Sequence, residues 1–177
     1  SLTAYTRTID QWIMWMPPVK DVSNYWSPIN IAEVNSNGLE ARANMRINAN
    51  DWHFNCNLGV DFSWSVFGTP LPEFNINEGD QLFYVPVENV IAGFTAAYRQ
   101  WSGYYNHHWF GPSPGINEDV EAANVGSGGL NYNFTHTKIK WTLYLQADNI
   151  WNVPYRIIER RPMPGRSFTG GVRFVFS

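Results

Sequence analysis

Residues 52–66 read WHFNCNLGVDFSWSV and alternate without a break. Trp52, Phe54, Cys56, Leu58, Val60, Phe62, Trp64 and Val66 are apolar, and His53, Asn55, Asn57, Gly59, Asp61, Ser63 and Ser65 between them are polar or glycine. Period-two alternation is the signature of a β-strand with one apolar and one wet face. Globular strands usually run to about five or six residues; this run is far longer. At ~3.4 Å per residue and a tilt of ~45° it spans about 35 Å, more than the ~25 Å apolar band of an outer-membrane barrel. The question is whether its apolar face meets a protein core or lipid.

The same pattern recurs. Leu39, Ala41, Ala43, Met45 and Ile47 alternate with Glu40, Arg42, Asn44 and Arg46. Ile139, Trp141, Leu143, Leu145 and Ala147 alternate with Lys140, Thr142, Tyr144, Gln146 and Asp148. Near the end, Phe168, Val172, Phe174 and Phe176 share one parity, with Thr169, Gly171 and Arg173 on the other. Less regular strands are expected over 90–98 and 101–110, and weaker ones over 5–15 and 122–134, where the alternation slips. No segment reads as a helix. Short polar turns are expected near 48–51, 99–100 and 135–137, and long loops over 16–30, 67–89, 111–121 and 150–167. All 11 prolines fall in those long loops, as expected for a residue without a ladder N–H. Short and long connections alternate along the chain. An up-and-down antiparallel meander with its long loops at one end follows.

Composition narrows the class. The 177 residues suffice for one domain with a sizeable core, but charged residues make up 15% against 16% aromatic, an unusual balance for a soluble enzyme. A net charge of −3 without a basic run argues against nucleic acid as a partner. A single cysteine rules out an internal disulfide framework and a multi-cysteine metal knuckle. No apolar run approaches the ~18 residues of a transmembrane helix. The chain begins SLTAY without an initiator Met or signal segment, so it reads as a processed product or a piece of something longer.

A soluble β-sandwich also alternates. Three features favour lipid: the strand length, the charged residues Arg42, Arg46, Asp61, Lys140 and Asp148 (with Tyr144) on faces suited to a hydrated lumen, and the Trp and Tyr residues near strand ends, where an interfacial girdle needs them.

The closing residues TGGVRFVF fit the targeting pattern of bacterial outer-membrane barrels, polar–any–Gly–apolar–any–aromatic–any–aromatic, at Thr169, Gly171, Val172, Phe174 and Phe176. Ser177 departs from it, because the last aromatic usually ends the chain. Upstream, ADNIWNVPYRIIERRPMPGRSF resembles the end of TonB-dependent outer-membrane receptors. YWSPINIAEVNSNGLEARANMRI and GDQLFYVPVEN are similar to two earlier strand motifs of that family, in family order. The RPMPGR element resembles Bacteroidetes-type receptors, including those similar to vitamin B12 and siderophore receptors.

The resemblance implies an all-β transmembrane barrel segment, about eight strands of a 22-stranded barrel, covering 1–177 with the plug domain absent. It implies a bacterial outer-membrane location and import of a scarce nutrient such as cobalamin or an iron chelate. The partners implied are the rest of the receptor (plug and N-terminal strands, as a fragment or a split receptor), the TonB complex through the plug, the lipid bilayer with lipopolysaccharide, and a small nutrient ligand. No cofactor is implied.

Candidate loop contacts to ligand are Trp26, Trp109, Trp151, Tyr155, Arg160, Arg161 and Arg166. His53 and Cys56 point to opposite faces and cannot share an ion, and adjacent His107 and His108 diverge likewise. The NFT sequon at Asn133 reads as chance in a periplasmic turn. No nucleophile elbow, H-E-x-x-H or phosphate loop occurs, so no enzymatic activity is expected. The competing readings are a soluble carbohydrate-binding sandwich and a small barrel acting as an adhesin or accessory subunit.

Overall fold

The computed structural model describes residues 1–18, 24–31 and 33–176. Ser177, the departure from the targeting pattern, lies outside them. Among the described residues twelve strands follow in chain order: β1 (Leu2–Asp10), β2 (Ile13–Met16), β3 (Ser27–Asn30), β4 (Glu33–Ala49), β5 (Trp52–Phe67), β6 (Glu88–Tyr98), β7 (Trp101–Phe110), β8 (Ala123–His136), β9 (Ile139–Asp148), β10 (Arg156–Ile158), β11 (Arg161–Pro162) and β12 (Ser167–Phe176). Eight form one antiparallel sheet in the order β1-β4-β5-β6-β7-β8-β9-β12, while β2-β3 and β10-β11 are small hairpins inside long connections. The large sheet is an up-and-down meander. It is open, since its edges β1 and β12 do not pair with each other.

Two-residue turns at 50–51, 99–100 and 137–138 close one end of the sheet, each starting with a residue at positive φ (Asn50, Arg99, Thr137). Arg99 Nε reaches Asp51 across two of these turns at 2.7 Å. Long connections, 11–32, 68–87, 111–122 and 149–166, occupy the other end.

Pairing runs without a shift across the large sheet, so the alternation fixed in β5 propagates to every strand. Trp52 sits opposite Tyr98, Tyr98 opposite Trp101, Trp101 opposite Tyr132, Phe134 opposite Trp141 and Trp141 opposite Phe174. Four of these five pairs are in ring contact: Trp52 and Tyr98 lie 4.6 Å apart by centroid, Trp101 and Tyr132 4.7 Å, Phe134 and Trp141 6.2 Å, and Trp141 and Phe174 5.5 Å. They form an aromatic belt along the short-turn end of one face. Higher on that face stand Trp64, stacked on Phe62, and Trp109. Between the two levels the face carries Phe54, Cys56, Leu58, Val60, Leu130, Leu143 and Leu145, with no charged side chain.

The opposite face holds Arg7, Glu40, Arg42, Arg46, Asp61, Lys140, Asp148 and Arg173. Only Asp10, Glu33 and Glu88 carry charge at the apolar parity, and all three lie at the long-connection end.

Glycines on the polar face are covered by neighbours laid flat. A Cβ on Gly171 would meet the Tyr144 hydroxyl at 2.5 Å, and one on Gly59 would meet the Arg42 guanidinium at 2.8 Å. Tyr5 covers Gly38, and Tyr104 covers Gly129, in the same way. A missing side chain on one strand thus makes room for a long one on the next, which fills the face and keeps strands in register.

The buried core is small and sits at the long-connection end. Val34 faces Phe67 on the polar side of the sheet, and Met16, Ile31, Ile76 and Leu82 close over them. Each such burial stabilises by roughly 1.5–3 kcal/mol, enough to fold connections 11–32 and 68–87 inward over the polar face.

Several expectations shift. The strand expected over 39–47 begins at Glu33. The strand expected over 5–15 is two strands, broken at Gln11, which has φ 58°. The loop expected over 16–30 contains the β2-β3 hairpin, with residues 19–23 outside the described set. Pro28 and Pro162 lie in strands after all, but in the short hairpins outside the large sheet. A single 3₁₀ turn, Pro72–Phe74, is the only helical element among the described residues.

Candidate functional site

On the polar face, beneath connection 149–166, lies a groove of about 550 Å³. Its floor comes from strand positions of one parity, chiefly Asn106 and His108 of β7, Ser127 of β8 and Asp148 of β9. Tyr155 and Met163 of the connection lean over it. His108 Nε2 donates to Asn89 Oδ1 at 2.6 Å, which fixes the ring. The ring lies 3.6 Å from Phe110 by centroid, and Phe110 stacks on Tyr155 at 6.1 Å and 20°. One wall is therefore a stack of three rings. The other carries the Asp148 carboxylate, which accepts from Gln146 Nε2 at 3.1 Å. Such a site offers flat apolar contact together with a few oriented polar groups, the usual make-up of a small-molecule site.

The overhanging connection is held by its own side chains. Asn149 is buried, donating to the Val153 and Pro164 carbonyls at 2.9 and 3.2 Å and accepting from Val153 N at 3.0 Å. Asn152 accepts from Arg166 N at 2.9 Å. Glu159, also buried, accepts from the Asn117 and Glu118 amides at 2.8 and 3.1 Å and from the Asn117 side chain. Burial acts to raise its pKa, but those hydrogen bonds and nearby Arg160 outweigh it, so the carboxyl titrates below its ordinary range. Arg156 pairs with Glu118 at 2.7 Å. Connections 111–122 and 149–166 are thus clasped together at the mouth.

Of the expected contact residues, only Tyr155 lines the groove. Trp109 is on the apolar face by register, and Trp151 joins it there, its Nε1 donating to Tyr105 Oη at 3.2 Å. Both stand at the long-connection end of that face. Trp26 is exposed beside β3, and Arg160 and Arg161 are exposed on the connection. Arg166 lies over the Phe168 ring at 5.9 Å, also on the apolar side. Arg42, Arg46, Asp61, Lys140, Tyr144 and Asp148 share the polar face, with Arg42 and Asp61 paired at 3.0 Å. Asn106, His108 and Phe110 were not among the expected contacts. Parity within β7 places them on one face; their meeting with Tyr155 needs the folded connection. Among the described residues, no three His, Cys, Asp or Glu side chains come together to hold a metal ion.

No protein-family model and no curated protein matches the sequence. Among solved structures, the chain is similar to "Copper transporter OprC", with a TM-score of 0.67 and 17% identity over 99% of this chain. The chain spans 28% of that protein's length. At this identity the likeness is one of fold.

Proposed function

We propose that this chain is a wall of an outer-membrane transport barrel of the TonB-dependent receptor type, importing a scarce nutrient. The observation that carries the reading is the division of the sheet. One face bears a ring-to-ring aromatic belt and no mid-strand charge, and the other bears the charges. A fold shared with part of a transporter and the receptor-like closing motifs point the same way. In lipid an open sheet edge leaves backbone groups unpaired, so β1 and β12 pair with further strands of the same barrel. Outward connections capture the ligand, the His108–Phe110–Tyr155 wall and Asp148 hold it at the mouth, and the charged face lines its route. The driving step belongs to the plug and the TonB complex. The sequence leaves cobalamin, an iron chelate, haem or a peptide open as the ligand class, and the name of the similar structure adds copper.

The test is fractionation of the intact protein in its native cells. Residence in the outer membrane, release only by detergent, and gel mobility that changes on heating are expected. A protein that stays monodisperse in plain buffer would instead support the soluble sandwich.

A further inference from the structure

The groove on the polar face has a charge balance that selects among ligands. Asp148 is the one formal charge in its lining among the described residues. The side chain is half-buried, and the neutral Gln146 amide donates to both its carboxylate oxygens, at 3.1 and 3.2 Å. Among the described residues no arginine or lysine pairs with it. The cations nearest the groove are engaged elsewhere: Arg156 with Glu118, Arg42 with Asp61, and Arg166 over Phe168 on the other face. A carboxylate without a counter-ion attracts a cation and repels an anion.

The opposite wall prefers the same sign. Stacked rings present negative π-faces, which attract a delocalised cation. His108 donates through Nε2 to Asn89, so Nδ1 of the neutral ring is left as an acceptor for an N–H. Asp148 stands on β9 and the ring wall rises from β7, two strand steps away, about 10 Å at ~4.8 Å per step. Asn106 and Ser127, neutral and paired across β7 and β8, floor the space between. With a volume of about 550 Å³ the groove admits a flat group of that length.

We propose that the group seated in this groove is a flat organic cation. Its conjugated body lies on the His108–Phe110–Tyr155 wall, and an amidinium-like edge donates N–H to Asp148. The carboxylates of haem, or an anionic iron chelate, would bring like charge against Asp148. That the groove takes a cation stands on these contacts; that the cation is part of the imported nutrient rests on the transport reading above.

The test is saturation-transfer NMR titration of the intact protein in non-ionic detergent, with a detergent-only blank. Benzamidine, benzamide and benzoate serve as probes, since they share one planar shape and differ in charge. Benzamidine should bind tightest, benzamide more weakly, and benzoate least. Asp148→Asn should weaken benzamidine by about tenfold, the scale of a charge-assisted hydrogen bond, and leave benzamide within about twofold. Tyr155→Ala should weaken benzamidine and benzamide alike, by about threefold. Asp51→Asn removes the same charge at the short-turn end and should change neither.

Benzoate binding as well as benzamidine would overturn the proposal. So would wild-type benzamidine binding in Asp148→Asn or Tyr155→Ala, or an equal loss in Asp51→Asn. Heat-modifiable gel mobility of each variant reports its fold. A folded, detergent-dependent protein that does not bind benzamidine refutes the cation and leaves the transport reading standing. A protein that binds benzamidine but needs no detergent refutes the transport reading and leaves the cation standing.

Discussion

Arginine placed at adjacent positions of β5 should have very different costs. Leu58 lies midway between Trp52 and Trp64 on the apolar face, 47% exposed, with only Ala43 and Ala92 opposite it. Nothing in the sheet shields a charge there, and at the bilayer midplane Leu58→Arg should cost about 2–4 kcal/mol. That corresponds to roughly a 30- to 900-fold shift in the folding equilibrium. Asn57 faces the other way, between Asn44 and Gly93 and within the charged face. Asn57→Arg should cost no more than about 1 kcal/mol, because Gly93 beside it has no side chain to meet the extra length. The assay is urea titration of folding into phospholipid vesicles, read by the heat-modifiable gel band. Equal costs at 57 and 58, or a larger cost at 57, would refute the assignment of faces.

Other consequences can be measured directly. Gly171→Ala would push against the Tyr144 ring; we expect about 1–2 kcal/mol of destabilisation, much of it relieved by Tyr144→Ala in a double-mutant cycle. The Glu159 pKa is depressed on folding, so its clasp is at full strength above the unfolded value of about 4.5 and is lost as pH falls through the lower folded value. The protection factors of the Asn117 and Glu118 amides, taken relative to intrinsic exchange at each pH, should therefore be high at neutral pH and fall at strongly acidic pH. In Glu159→Gln they should be low throughout. Phe176→Ser, at the end of the aromatic row on β12, should lower the folded fraction in the outer membrane while the unfolded form accumulates, as pulse-chase would show.

Sequence alone revealed the fold wherever one face meets a uniform environment. The bounds of β7 and β9 match those read from alternation, and β5 extends by only Phe67. Alternation failed where both faces are alike. The first residues of β4, Glu33 to Gly38, include Asn35 and Asn37 at the apolar parity, because this part of the strand rises above the apolar band. In β8, Gly126, Gly128 and Gly129 contribute to neither face, which hid the period. The candidate groove was less legible still. Asn89, His108, Asp148 and Tyr155 are distant in sequence and meet only through strand register and the clasp at Glu159. The arginines that looked like ligand contacts read alike as a run, but their placement depends on a turn whose course the sequence does not state.

The most direct test of the central claim is a cysteine scan along β5 of the intact protein in sealed outer-membrane vesicles, using a water-soluble maleimide that enters the barrel. Thiols placed at Asn55, Asn57 and Asp61 should react, while native Cys56 and thiols at Leu58 and Val60 should stay unlabelled until the membrane is dissolved and the protein unfolded. Labelling without alternation, or with the opposite phase, would contradict a strand that has lipid on one side and water on the other.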